Sequence, residues 1–230
     1  MSKQFISIVA WGFLVGGANA QLTPTQHAAL VDEMRQLSAR RIAYNQGWQP
    51  PGAAKAWAMD CSNTSRYIYQ TVFGLQLPRT ASDQYYALKQ VKRIVYAPRL
   101  ANGRVDTEAL LSQLRSGDLL FWQWTYDIER DPPITHVMVY LGRTADGTPK
   151  MAGSASRSKG EQTNRGGVNV YVFDPNASMG GVKNIFGDYI RRGEFVGFGR
   201  VIKQEPISGA QTADSVGGYR QTVPAVMRVN

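Results

Sequence analysis

A single cysteine, Cys61, stands in a chain of 230 residues, so no internal disulfide can hold the fold and a hydrophobic core must do so alone. It lies in the stretch Ala58-Met59-Asp60-Cys61-Ser62-Asn63-Thr64-Ser65-Arg66-Tyr67-Ile68-Tyr69. From Ser65 onward, Tyr67, Ile68, Thr71, Val72 and Leu75 recur at three and four residues, the spacing of one apolar helical face. The cysteine therefore falls in or just before the first turn of a predicted helix. Unpaired backbone N–H groups and the positive end of the helix dipole at such a place lower a thiol pKa and favour the thiolate. Far downstream, Thr135-His136-Val137-Met138-Val139-Tyr140-Leu141-Gly142 carries one of only two histidines. A cysteine with a distant histidine is the sequence form of a nucleophile and its base. The plainer reading is an inert core thiol and a structural imidazole.

The length suits one domain with a sizeable core. The net charge of +9, from 26 basic and 17 acidic residues, would suit polyanions such as anionic wall polymers or membrane surfaces. No arginine-rich run or nucleic-acid motif accompanies it, so no nucleic-acid partner is expected. Residues 1–20 read as a signal peptide: Lys3 is followed by an apolar run from Phe5 to Val15 and by Ala18-Asn19-Ala20, a small-x-small cleavage pattern. No other apolar run approaches the ~18 residues of a membrane span. These features predict an exported protein, periplasmic or extracellular, without an integral membrane segment. A free thiol in an oxidising compartment is a liability kept for use, which favours the catalytic reading of Cys61.

Along the mature chain, Thr23 before Pro24 caps a first helix running towards Ile42. His27, in its first turn, reads as a packing residue. Gly47, Pro50, Pro51 and Gly52 break the chain before the cysteine helix. Thr80 or Ser82 caps a short helix, and Asp106 or Thr107 caps another over Ala109 to Leu114. Ile94-Val95-Tyr96 is a candidate short strand. Strands are predicted at Leu119–Trp122, 135–141, 150–154, 168–173 and 195–202, with Asp146-Gly147 as a hairpin turn. Helices followed by an antiparallel meander predict an α+β fold, N-terminal helices packed on a central sheet of about five strands. Residues 21–203 form one domain, and 204–230 read as a poorly ordered tail. No metal cluster or nucleotide loop appears, so no cofactor is expected.

Four stretches in order resemble the NlpC family of bacterial cell-wall cysteine peptidases: Asp60-Cys61-Ser62 opening a helix, Leu77-Pro78-Arg79-Thr80, Ser116-Gly117-Asp118-Leu119-Leu120-Phe121, and Thr135-His136-Val137-Met138-Val139-Tyr140-Leu141-Gly142. The resemblance covers roughly residues 44–173. It implies a papain-like fold and hydrolysis of amide bonds in peptidoglycan stem peptides; separately, a monomer is expected. Carried over, Cys61 is the nucleophile, His136 the general base, and Tyr44 a residue lining the cleft. Ser62 reads equally as a substrate contact or as a helix-start hydroxyl that satisfies backbone. In the aromatic and acidic loop 123–134, Trp124 and Tyr126 are rim candidates.

Departures accompany the likeness. Asn63 stands where the family has glycine, and the segment Lys89 to Gln113 and the loop 123–134 are longer. The family's orienting histidine, about a dozen residues after the base, is matched by Ala152; Ser154, Ser156, Asn169 or a backbone carbonyl are the remaining candidates for that role. Two alternatives follow: a papain-like domain with weakened catalysis that binds wall peptides or a protein partner, and an amidase or acyltransferase on another substrate.

Overall fold

Local chemistry starts and stops each helix of the computed structural model, which describes residues 22–47, 56–156 and 166–202. The expected signal peptide and tail lie outside the described residues. Helix α1 (Pro24–Ala39) opens with a capping box: the Gln26 N–H donates to Thr23 Oγ1 at 3.2 Å, and the Thr23 N–H donates to Gln26 Oε1 at 3.0 Å. Helix α2 (Cys61–Phe73) is capped by Asp60 and closed by Gly74 at φ +66°, a left-handed position that glycine takes without steric penalty. Helix α3 (Ala81–Gln90) is capped by Thr80, and α4 (Thr107–Gln113) by Asp106. Strand β1 (Ile94–Tyr96) lies between those two helices.

Seven further strands follow: β2 (Leu119–Gln123), β3 (Ile134–Arg143), β4 (Pro149–Ala155), β5 (Gly167–Val172), β6 (Gly181–Lys183), β7 (Tyr189–Arg192) and β8 (Glu194–Gly199). Six build one antiparallel sheet in the order β1-β8-β2-β3-β4-β5, while β6 and β7 pair only with each other. The architecture is the expected α+β one, with two differences. Strand β8 returns between β1 and β2, so the sheet is not a simple meander. The β6–β7 hairpin has no counterpart in the sequence reading, because neither short strand has an apolar face to bury.

Alternation along β3 supplies two cores at once. Val137, Val139 and Leu141 pack with Leu30 and Met34 of α1, Ile68 and Tyr69 of α2, and Tyr85 of α3. Met138 and Tyr140 face the other way, onto Leu110, Trp122, Phe173 and Phe195. A strand buried on both faces is apolar at every position rather than at alternate ones. The long segment 89–113 thus joins the sheet through β1 and covers the second face through α4, away from α2. At Gly153 a Cβ would lie 2.1 Å from Met138 Sδ, so β4 packs this closely only through glycine. His27 holds α1 to β3 through Nε2 and the Leu141 carbonyl at 3.2 Å.

Where β2 begins, Asp118 is fully buried; its carboxylate accepts from the Arg115 N–H at 2.9 Å, with Arg200 Nε at 3.5 Å. Burial pushes its pKa up to about 7 against those two groups. Because the folded-state pKa is raised, the stability contribution is full below the unfolded value of about 4 and is lost as pH rises towards 7. The difference in urea midpoint between the wild type and Asp118→Asn is expected to shrink or reverse from pH 4 to pH 7. That difference isolates Asp118 from the other buried titratable groups, and a constant difference would show that the carboxyl is charged throughout.

Candidate active site

The first turn of α2 is polar yet buried, so each of its groups needs a partner. Asp60 Oδ1 accepts from the Asn63 N–H at 2.7 Å and from the Ser62 hydroxyl at 3.1 Å. Arg79 donates through Nη2 to Asp60 Oδ2 at 2.7 Å and to the Gln46 carbonyl at 2.8 Å, and through Nη1 to Ser62 Oγ at 2.9 Å. Gln84 of α3 donates to the carbonyls of Ser62 and Pro78 and accepts from Ser65 Oγ at 2.9 Å. Two of the sequence motifs, around Cys61 and around Arg79, are therefore one clamp on the helix start.

Cys61 is placed where the sheet opens. On β3 the even-numbered residues bond to β2, as when the Tyr140 N–H donates to the Asp118 carbonyl at 2.8 Å; the odd-numbered ones point towards β4. The β3–β4 ladder, however, runs only from Arg143–Pro149 to Val139–Ala152. The Val137 N–H is left beyond it and favours the Cys61 thiolate, as do the N–H groups of Ser62 and of Cys61 itself. The sulfur lies beside that opening. Ser154 of β4 braces the same junction, its hydroxyl donating to the Met59 carbonyl at 2.8 Å.

His136 immediately precedes Val137, so its backbone runs past the cysteine, while alternation along β3 sends its ring to the Met138–Tyr140 face and Cys61 packs on the Val137–Val139 face. The His136 ring stacks edge-on against Trp122, with centroids 5.9 Å apart. No hydrogen bond joins it to Cys61, and its Nε2 has no partner. Both residues are 6 % exposed. Burial, with the Asp60 carboxylate second, pushes the Cys61 thiol up to about 12 in spite of the three N–H donors. Burial pushes His136 down to about 4. The helix start was expected to favour a thiolate; the loss of water outweighs it, and at neutral pH the pair is a thiol and a neutral imidazole.

Tyr44 comes to the site through a backbone pairing: the Met59 N–H donates to the Ala43 carbonyl at 3.0 Å, and the Asn45 N–H to the Met59 carbonyl at 3.3 Å. Burial raises its phenol, followed by Cys61, Asp60 and Tyr126, so Tyr44 stands beside the cysteine and the exposed Tyr126 stands beside Tyr44. Ser62 is buried and committed to Asp60 and Arg79, which makes it part of the scaffold. Trp124 is held from outside, with the Arg191 guanidinium 4.0 Å from its ring centre.

Of the candidates for orienting the imidazole, Ser156 is exposed at the end of β4 and Asn169 is buried on β5 opposite Gly153. Ala152 lies opposite Val139, three residues along from His136. Continuing that register puts Ser154 abreast of Val137, nearer the pair than Ala152. Asp60, Arg79 and Gln84 were not foreseen as site residues. The cap spacing from Asp60 to Asn63 was a readable signal for the first; nothing in the sequence pairs Arg79 or Gln84 with it. Among the described residues, no group of three or more His, Cys, Asp or Glu could hold a metal ion.

Residues 47–165 match the model of the NlpC/P60 family, more than half of the chain. The chain belongs to the NlpC/P60 family. That is a family of cell-wall peptidases and amidases, usually cysteine peptidases. No curated protein matches the chain. Among solved structures, a protein described as similar to a lipoprotein of the NLP/P60 family, from Staphylococcus aureus subsp. aureus Mu50, is 17 % identical with a TM-score of 0.44. The match covers 83 % of this chain and 46 % of that one, so the chain spans less than half of that relative's length. The NlpC/P60 match includes Cys61, His136 and the Asp60–Arg79 clamp and leaves out β5 to β8.

Arg79→Ala leaves Asp60 without its cation. A loss of about 1–2 kcal/mol in unfolding free energy by urea titration is expected, the low side for bonds to a charged group because Arg79 is partly exposed. An unchanged midpoint would mean that water replaces the guanidinium without loss.

Proposed function

We propose that this chain is an exported cysteine peptidase or amidase that hydrolyses amide bonds in peptidoglycan stem peptides, with Cys61 as nucleophile and His136 as general base. One observation carries the reading: the Cys61 sulfur lies beside the N–H of Val137, the residue bonded to His136. The only thiol thus stands at a helix start beside the backbone that carries an imidazole of low basicity, within a family of wall peptidases and amidases. The net charge of +9 suits an anionic wall, and the apolar segment Phe5–Val15 with Ala18-Asn19-Ala20 supports export.

Catalysis on this reading begins from uncharged partners. Substrate displaces water at the mouth lined by Tyr44 and Tyr126, and the imidazole turns from Trp122 towards the sulfur. The thiol proton passes to a ring nitrogen as sulfur attacks the amide carbonyl. The tetrahedral oxyanion is held by backbone N–H groups that had faced the sulfur, that of Cys61 foremost. The C–N bond breaks, the imidazolium returns its proton to the leaving amine, and a thioester remains. Water, deprotonated by the imidazole, then releases the carboxylate and the thiol. At rest the ring packs edge-on against Trp122.

The same buried, uncharged pair also favours a second reading, a papain-like domain that binds wall peptides without turning them over. Digestion of purified stem peptides, followed by mass spectrometry, separates the two. Cleavage by the wild type, lost at least about a thousandfold in Cys61→Ala and His136→Ala, is expected. Equal cleavage by Cys61→Ala would overturn the hydrolase reading, and retention of intact peptide by the wild type would establish the second.

Two pH measurements follow from the burial. Iodoacetamide should alkylate Cys61 slowly at pH 7 and faster only well above the ordinary thiol pKa of about 8.5. The acid limb of kcat/KM, which reports the base of the free enzyme, should fall near pH 4–5 rather than near 6.5. Fast alkylation at pH 6 with an acid limb near 6.5 would mean that the site is hydrated and charged at rest.

A further inference from the structure

The β6–β7 hairpin gives the core only Val182, yet its tip is built with care. Asn184 Oδ1 accepts from the N–H groups of Phe186 at 3.0 Å and Asp188 at 2.9 Å, and the Asn184 N–H donates to the Asp188 carbonyl at 2.9 Å. Gly187 turns the chain at φ +91°. The residues this turn holds outward are Ile185, 92 % exposed, and Phe186, 83 % exposed, with Ile190 and Tyr189 exposed behind them. Adjacent large apolar side chains on a fixed turn are unlike the scattered exposure of an ordinary surface. Lys183, Arg191 and Arg192 surround the base: Lys183 Nζ and the Arg192 guanidinium lie 4.6 and 4.7 Å from the Tyr189 ring centre, and Arg191 lies over Trp124. Asp188, the single acidic residue between Gly181 and Arg192, faces back to Asn184. The hairpin also lies outside the part of the chain that the family model matches.

We propose that this hairpin docks the protein on a lipid bilayer carrying anionic headgroups. Ile185 and Phe186 enter the boundary between headgroups and acyl chains, Tyr189 sits at headgroup level with its apolar body inward, and Lys183, Arg191 and Arg192 meet the lipid phosphates. An apolar tip, an aromatic and then a cationic collar is the order in which a bilayer surface changes from hydrocarbon to charge. The positive balance of the hairpin, within a chain of net charge +9, selects an anionic surface over a neutral one. The hairpin is fastened to the loop between β2 and β3 by the Gly181 N–H, which donates to the Thr125 carbonyl at 2.9 Å, and by Arg191 on Trp124. That loop carries Tyr126, so docking also fixes how the mouth beside Cys61 is turned relative to the membrane.

Sedimentation of the full chain with vesicles tests this, using phosphatidylglycerol–phosphatidylethanolamine vesicles against phosphatidylcholine alone. Binding to the anionic vesicles is expected, at least about tenfold weaker in Ile185→Ser/Phe186→Ser and in Lys183→Gln/Arg192→Gln, with salt weakening the wild type. The first 20 residues are common to all variants, so the differences report the hairpin. None of the four side chains is buried, and unchanged unfolding midpoints check that the variants fold. An environment-sensitive dye on Phe186→Cys, in a Cys61→Ala background, should shift to the blue with anionic vesicles only. Wild-type and Ile185→Ser/Phe186→Ser proteins that sediment alike would overturn the proposal. So would a wild type that ignores vesicles but self-associates in solution through the same two residues, which would make the tip a protein contact instead.

Discussion

Everything at the candidate site depends on one unfilled position in the sheet, the Val137 N–H that β4 does not reach. A buried backbone donor without a partner is among the more costly defects a fold can carry. Here the start of α2 brings the Cys61 sulfur beside the gap, and that placement shapes the rest. The helix must dock end-on, so its first turn is buried although its residues are polar. Asp60 then caps the free N–H groups, and its carboxylate in turn requires Arg79. Gln84 satisfies the carbonyl side of the same turn, and Ser154 holds the approaching chain at Met59. The surrounding sequence is intelligible as a chain of compensations for that single sheet opening.

Competition between burial and polarity decides the chemistry at rest. Three N–H groups and the helix dipole favour a thiolate, each by a modest amount where water is present. Removing the sulfur from water acts the other way, and Asp60, placed to cap the helix, adds to it. Burial wins, so the feature that makes the helix start stable is also the one that keeps the thiol protonated. A protonated thiol is a poor target for oxidants.

Much of this was legible in the sequence where a local rule applies. Thr23 with Pro24, Thr80 and Asp106 mark helix starts because capping is decided within three or four residues. The apolar run of β3 announces a central strand because both its faces are buried. Tyr44 was placed beside Cys61 by resemblance, and the pairing of 43–45 with Met59 is its physical cause. What was not legible is set by partners remote in sequence. The Arg79–Asp60 contact joins charges that no periodicity links, and the return of β8 between β1 and β2 is a choice between sheet edges. The thiol's protonation follows from burial, which the helix-start argument could not weigh. Ala152 was matched to the orienting histidine by counting along the chain, whereas the ladder puts Ser154 nearer because β3 and β4 part company beyond Val139.

His136 stands where the sheet is least regular on both sides. Towards β2 the register slips between Trp122 and Gln123, so that Trp122 pairs with His136 and Gln123 with Ile134. Thr135 is left over, and its hydroxyl accepts from the Thr125 N–H at 2.8 Å. Such a bulge re-aims the side chains next to it. Towards β4 no ladder reaches Val137 at all. His136 is nonetheless buried and paired across the ladder with Trp122. Its one aromatic neighbour, Trp122, holds it by an edge contact worth about 1 kcal/mol, small beside the interactions that a bound peptide can supply. The irregularity that costs the sheet two regular pairs thus falls at His136, next to the Val137 N–H that faces the sulfur.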